Sequence, residues 1–445
     1  MSNSYRQPGA EWRLALFFRL VERAFVFSLL LFLMGAATAI LYPDLRGEDV
    51  ASTQGVLHPL IVIVQVAVYG LGALLILTRW RRVAAACLKV RALLLLMLLA
   101  PISAAWSIYP LLSLRRSVLQ IVVFLCAVYL GERYSIEEFA RLTAYVFCVV
   151  ILVTPVLFVV APNLVLDPDH AKAWKGLSDT KNAFGLHMAM AFVLLLLVRF
   201  KRVPWLRYIF IFMAFAEMGL SRSMTSVATG VLVIVMLPLW ALVRLNARQR
   251  FAALLAMIMT VAAGGYVLSL KMDAILRLMG KDSTLTGRTD VWKALLVAIG
   301  HHPFLGYGFG SFWTGLRGES LDVIVASGWL VPEAHNGYLE LWLAMGLPGA
   351  ILFLVALWFA IRYAIRYIRS EPRSVAYWPA AFFCFFLIHN MGESDLMNNG
   401  AFFLMSLFLT ISTSLAVQVS RINIQAPEEM YSDTSSEERV RLLTV

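Results

Sequence analysis

The sequence predicts an all-α polytopic membrane protein with about 12 transmembrane helices and a large loop between the ninth and tenth. Two observations set the class: 60% of the residues are hydrophobic against 15% charged, and the mean hydropathy is +0.77. Both lie far outside the range of soluble domains. A third sets the organisation, because the apolar runs are interrupted by one long polar stretch, from Lys271 to Glu340. In lipid, only a helix satisfies all its own backbone groups within one segment.

Apolar runs of spanning length lie at about 24–42, 57–78, 90–106, 116–131, 141–161, 182–198, 204–220, 224–243, 251–270, 340–360, 376–390 and 397–419. The third carries Lys89 and Arg91 at its inner end and the fourth is short, so counts of eleven or thirteen also fit, and eleven would put the two termini on opposite faces. Residues 1–270 are thus expected to hold the first nine helices, 271–339 the loop, 340–424 the last three helices, and 425–445 a polar, disordered cytoplasmic tail. The first run has no small-residue cleavage site and is followed by another, which reads as a retained anchor.

Orientation follows from the basic residues. Arg79, Arg81 and Arg82, then Arg199, Lys201 and Arg202, then Arg362, Arg366, Arg369 and Arg373 all fall on the face that also carries the termini. Both termini are expected in the cytoplasm, with the long loop exported. This topology accounts for most of the net charge of +11 and removes the need for a nucleic-acid partner. The four cysteines sit in or beside apolar runs and form no metal-binding or disulfide pattern. All seven histidines fall in exported loops or the outer parts of spans.

Within the loop, Thr286 to Pro303 reads as a short amphipathic helix: Asp290 lies in the first turn, Val291, Trp292, Leu295 and Ile299 recur at helical spacing, and Pro303 stops it. Arg288 and Trp292, four apart, share a face. The following Gly306-Tyr-Gly-Phe-Gly310 reads as a flexible turn; without a preceding strand or a following GKS or GKT it is no phosphate loop. Further outer-face features are His335-Asn336 at the mouth of the tenth run and the turn Ser221-Arg222-Ser223-Met224-Thr225.

Four stretches, GRTDVWKALLVAIGHHPFLGYGFGSF, the spacing HN-x9-GLPG, the turn SRSMTS and the earlier GLSDTKNAFG, resemble the superfamily of O-antigen ligases, O-antigen polymerases and exopolysaccharide polymerases. They cover roughly residues 176–230 and 287–349. The resemblance implies a metal-independent, inverting glycosyl transfer from an undecaprenyl-diphosphate-linked glycan at the outer face of the bacterial inner membrane, with no cofactor. Polymerisation of repeat units is the expected activity; ligation to lipid A core or protein uses the same motifs. The lipid bilayer, flippases and chain-length regulators are the expected partners.

The residue types suit this chemistry. Histidine titrates near neutrality and can take the acceptor's hydroxyl proton, which gives His335 as the general base. Arginine stays charged and grips phosphate oxygens, which gives Arg288 and Arg222 as diphosphate clamps. Trp292, Asn336, Lys175, Lys181, Arg115 and Arg116 complete the candidate substrate contacts. Plainer readings stand beside these: His335 as a loop cap, Arg288 paired with Asp290 or Asp282, Arg222 paired with Glu217, and the lysines as solvated loop. Glu333 is too close in sequence to orient His335 if the segment is helical. A transporter, the competing class, would place charges near mid-membrane in paired halves; Glu217 is the clearest intramembrane charge. A non-catalytic scaffold would tolerate loss of His335.

Overall fold

Apolar sequence and backbone self-satisfaction give helices throughout the computed structural model, which describes residues 10–43, 59–170, 172–200, 202–252, 259, 288–397 and 402–421. The main helices are α1 (Ala10–Leu33), α2 (Pro59–Thr78), α3 (Trp80–Lys89), α4 (Arg91–Ile102), α5 (Pro110–Arg133) and α6 (Ile136–Val160). They continue with α7 (Lys181–Leu197), α8 (Leu206–Leu220), α9 (Met224–Ala241), α10 (Arg288–His301), α11 (Glu319–Ser327), α12 (Gly337–Ser370), α13 (Trp378–His389) and α14 (Phe402–Arg421).

Among the described residues, six helices are long and apolar enough to cross a membrane: α2, α5, α6, the α9 stretch to Arg244, α12 and α14. Helices α3 and α4, bent by 99°, make a seventh as a broken pair, and α7 and Ser374–His389 are shorter apolar helices. The expected run 251–270 and the loop's first part, 271–287, lie outside the described residues but for Phe251, Ala252 and Met259, as does the expected tail at 425–445. Two expected boundaries change for local reasons. The run 24–42 breaks at Gly35, whose φ of +90° separates α1 from a short six-residue helix, Ala36–Leu41. The run 340–360 belongs to a 34-residue helix that breaks at Gly346.

Helix α14 is almost wholly enclosed by the others. Its hydroxyls return to its own backbone: Ser406 Oγ to Phe403 O at 2.8 Å, Thr410 Oγ1 to Ser406 O at 2.8 Å and Thr413 Oγ1 to Leu409 O at 2.8 Å. Small side chains that satisfy themselves in this way let neighbouring helices approach where lipid supplies no hydrophobic drive. Phe386 stacks on Phe408 with centroids 4.9 Å apart, tying α13 to α14.

The bundle has two chemically different ends. At one end Arg373 pairs with Glu137 at the start of α6, Arg244 donates to the Ile368 carbonyl at 3.0 Å, and Arg133 pairs with Glu22 at 2.7 Å. At the other end lie the starts of α7, α9 and α12 and the end of α13. The loop region docks on this second end through a core of its own, in which Val291, Leu295, Tyr307, Phe312 and Val331 are buried. The glycine run 306–310 is packed down there rather than free: Tyr307 N donates to Leu343 O at 2.8 Å and Gly308 N to Ala344 O at 3.0 Å. The break at Gly346 makes room for it, since Leu347 N donates instead to Phe304 O at 3.1 Å, and a side chain at 346 would strike the Phe304 carbonyl.

Candidate functional site

Asn336 starts α12 as its N-cap, its side-chain oxygen accepting from Tyr338 N at 3.1 Å and Leu339 N at 3.2 Å. Its own N–H donates to Ser394 Oγ at 3.1 Å, and Gly337 N donates to the carbonyls of Asn390 at 2.8 Å and Glu393 at 3.0 Å. The His-Asn pair is thereby pinned to the turn after α13, His389-Asn-Met-Gly-Glu-Ser-Asp395. That turn is held in place from within: Asp395 N donates to Asn390 Oδ1 at 3.0 Å, and His389 Nδ1 and Asp395 Oδ2 are 2.5 Å apart.

Glu393 is the hub. Its Oε1 accepts from Arg288 Nη2 at 2.9 Å, and its Oε2 lies 3.3 Å from His335 Nδ1. Arg288 also donates through Nη1 to the Gly392 carbonyl. Glu333 Oε1 stands 3.2 Å from the same Nδ1. With carboxylates on both sides, Nδ1 must carry a proton, which leaves Nε2 as the nitrogen open to other chemistry. Burial disfavours the charged imidazole, but hydrogen bonds that it donates to Glu333 and Glu393 override this and push His335 up to about 9. For Glu393 burial works upward, while the His335 hydrogen bond and the Arg288 charge win and bring it down to about 2.

Loop conformation explains two departures from expectation. Glu333 does reach His335, because the chain between α11 and α12 is not helical and the objection from helix geometry does not apply. His335 has φ of +46°, in the left-handed region, and Arg222 has φ of +53°. Such backbone costs of order 1–2 kcal/mol for a residue with a side chain and persists where surrounding contacts impose it.

The short turn comes to the same place. A Cβ placed on Gly392 would lie 3.1 Å from Thr225 Cγ2 and 3.3 Å from Arg288 Nη1, so the turn, the arginine and the Glu393 segment meet. Helix α7 closes behind it: a Cβ on Gly185 would lie 2.6 Å from Ser221 Oγ and 3.0 Å from Ser226 Oγ. Ser223 and Ser226 hydroxyls are 2.9 Å apart. All four quoted stretches therefore contribute to one end of the bundle.

Individual candidates fare differently. Arg288 pairs with Glu393 and not with Asp290, which takes Lys293 at 2.9 Å; Asp282 lies outside the described residues. Arg222 is exposed, and neither carboxylate oxygen of buried Glu217 has a hydrogen-bond partner among the described residues, so the internal ion pair does not form there. Trp292 bonds inward, its Nε1 donating to Ala334 O at 3.0 Å, directly before His335. Lys175 is 1% exposed and its ammonium reaches the Pro43 carbonyl, so as a substrate contact it is displaced by a packing role. Lys181 opens α7, its N–H donating to Asp167 Oδ2 at 2.9 Å. Arg116 donates to the Gly310 carbonyl, anchoring the glycine run, while Arg115 beside it is exposed. Trp329 lies against the imidazole, stacked on His335 with centroids 5.7 Å apart.

Sequence reasoning passed over Glu393 and its turn. The signal was present: HNMGESD is a polar run between two apolar spans, and it repeats the His-Asn pair of 335–336. Glu333, His335 and Glu393 also present ligand atoms within 4.8 Å of one another, a grouping that could hold a cation. Arg288 already neutralises one of these carboxylates and the proton on Nδ1 occupies the shared ground, so the donor set fits a cation poorly as it stands.

Comparison with known proteins agrees with the motifs. Residues 209–354 match the family model described as O-antigen ligase, from α8 to the middle of α12. Over 327 residues the chain is 27% identical to the exopolysaccharide production protein ExoQ of Rhizobium meliloti (strain 1021), covering 69% of this chain and 72% of that protein. A segment of this multi-pass membrane chain thus matches the O-antigen ligase family model, and the chain is similar to an exopolysaccharide production protein.

Proposed function

We propose that the chain is a glycosyltransferase of the bacterial inner membrane that polymerises repeat units carried on undecaprenyl diphosphate into an exopolysaccharide or O-antigen, with both termini cytoplasmic and the site exported. The convergence of His335, Arg288, Glu393 and the Arg222 turn carries this reading. At neutral pH the three cations of this group outnumber its two carboxylates, Glu333 and Glu393, which suits a dianionic leaving group. Arg288 spends one N–H on Gly392 and one on Glu393; three of its five remain for phosphate oxygens.

In this mechanism His335 acts from its neutral fraction, whose unprotonated Nε2 accepts the acceptor hydroxyl's proton as the oxygen attacks the anomeric carbon. The bond to the carrier phosphate breaks from the opposite face, inverting the configuration. Arg288 and Arg222 stabilise the charge that builds on the departing diphosphate. Glu393 holds base and clamp in one frame, and Trp292 fixes the carbonyl beside the base. The similarity to ExoQ favours polymerisation, whereas the family description favours transfer of a finished glycan. Lipid-linked glycans from a deletion strain separate the two. Single repeat units left on the carrier are the expected result, and long carrier-bound chains would overturn polymerisation in favour of ligation.

A further inference from the structure

The end of the bundle opposite His335 holds a second polar construction that glycosyl transfer does not use. A cleft of about 290 Å³ opens between α1, α5 and α6, lined by Arg19, Glu22, Arg23, Arg133, Tyr134 and Glu138. Beside it a cavity of about 380 Å³ surrounds Thr78 to Arg82. Arg79 joins the two, lying 3.9 Å from Glu22 and 3.7 Å from Glu132.

The two carboxylates that line the cleft, Glu22 and Glu138, are already engaged. Glu22 is buried and accepts from Tyr129 Oη at 2.9 Å and from Arg133 Nε at 2.8 Å and Nη2 at 2.7 Å. Glu138 accepts from Ser135 N at 3.1 Å and Ser135 Oγ at 3.0 Å in the capping box of α6. Arg19, Arg23, Arg81 and Arg82 are exposed, and no carboxylate pairs with them among the described residues. Four like charges gathered around two adjoining cavities repel one another unless an anion sits among them.

The surroundings say where that anion comes from. Leu16, Phe17 and Leu20 on α1, and Leu74 and Leu77 on α2, are exposed on the flanks of the charged cleft. Trp80 is 58% exposed with the Arg81 guanidinium 5.3 Å above its ring, the arrangement of an aromatic at headgroup depth. A lipid can lay its acyl chains on the leucines while its phosphate meets the guanidiniums; a soluble phosphate gains only the second contact. We propose that this cleft binds the phosphate headgroup of an anionic bilayer lipid.

Native mass spectrometry of the full chain in detergent, with phosphatidylglycerol or phosphatidylcholine added, tests this. Phosphatidylglycerol should be retained as an adduct and phosphatidylcholine should not. Arg19→Gln with Arg23→Gln should lower its occupancy by roughly fivefold or more. Arg362→Gln with Arg366→Gln, exposed basic residues near the far end of α12, should leave it unchanged. Equal retention of phosphatidylcholine, or full occupancy in the Arg19/Arg23 variant, would overturn the site. An equal loss in the Arg362/Arg366 variant would reduce it to diffuse surface charge, and displacement by millimolar inorganic phosphate would reassign it to a soluble anion.

Discussion

Replacing Glu393 with Gln keeps the shape of the hub and removes its charge. At an effective dielectric of about 20, a unit charge attracts Arg288 at 2.9 Å by roughly 6 kcal/mol and His335 at 3.3 Å by roughly 5 kcal/mol before desolvation is counted. Burial of the carboxylate offsets much of this, and breaking a buried pair costs about 3 kcal/mol net. The variant should therefore unfold at a lower temperature in detergent. The kinetic signature is more specific. His335 would keep only Glu333, so its pKa should fall from about 9 toward the ordinary imidazole value.

In the wild type, a base raised to about 9 is neutral in about one molecule in a hundred at pH 7, and turnover should climb about tenfold per pH unit until near 9. In Glu393→Gln that climb should end nearer neutrality, on a lower plateau, because Arg288 has lost its anchor. The assay is release of undecaprenyl diphosphate from a purified lipid-linked repeat unit between pH 6 and about 10. An unshifted profile at the wild-type rate would refute the coupling of base, clamp and carboxylate.

Other outcomes follow from the same geometry. Arg288→Lys should lose about tenfold or more in turnover, because an ammonium presents its donors from a single nitrogen and cannot copy the fork that reaches Gly392 and Glu393 through separate nitrogens; wild-type turnover would argue against the clamp. Asn336→Ala should cost about 1 kcal/mol of stability through the lost cap of α12, read by thermal unfolding. Stability should also depend on pH with a definite sign. Glu393, depressed from 4.5 to about 2, contributes above about 4.5 and loses its contribution as pH falls through about 2. His335, raised from 6.5 to about 9, contributes fully below about 6.5 and loses its contribution as pH rises through about 9. The unfolding temperature should therefore fall at alkaline pH in the wild type and fall less in His335→Ala.

Much of this was legible in the residues themselves, since apolar runs, basic loops and a lone polar stretch are one-dimensional signals. The amphipathic helix at Arg288 and the placing of Arg288 with Trp292 on it follow from spacing alone, whereas the break at Gly346 inside the expected run 340–360 does not. Contact between segments does not. Glu393 is 105 residues from Arg288 and 58 from His335, and only the docking of the α13–α14 turn onto the start of α12 brings them together. Glu333 was discounted on helix geometry that the local chain does not adopt. Lys175 looked available because a lysine in a polar loop usually is; its burial depends on the Pro43 carbonyl, 132 residues away.

The central claim is that an imidazole, framed by Glu393 and Glu333 and set beside Arg288, moves a glycan off a lipid diphosphate. Its most direct test is a comparison of wild type and His335→Ala, both purified and given an undecaprenyl-diphosphate-linked repeat unit, with released carrier diphosphate and extended glycan measured together. Coupled release and extension by the wild type, with neither from the folded variant, is the predicted result. Extension by His335→Ala at the wild-type rate would contradict it.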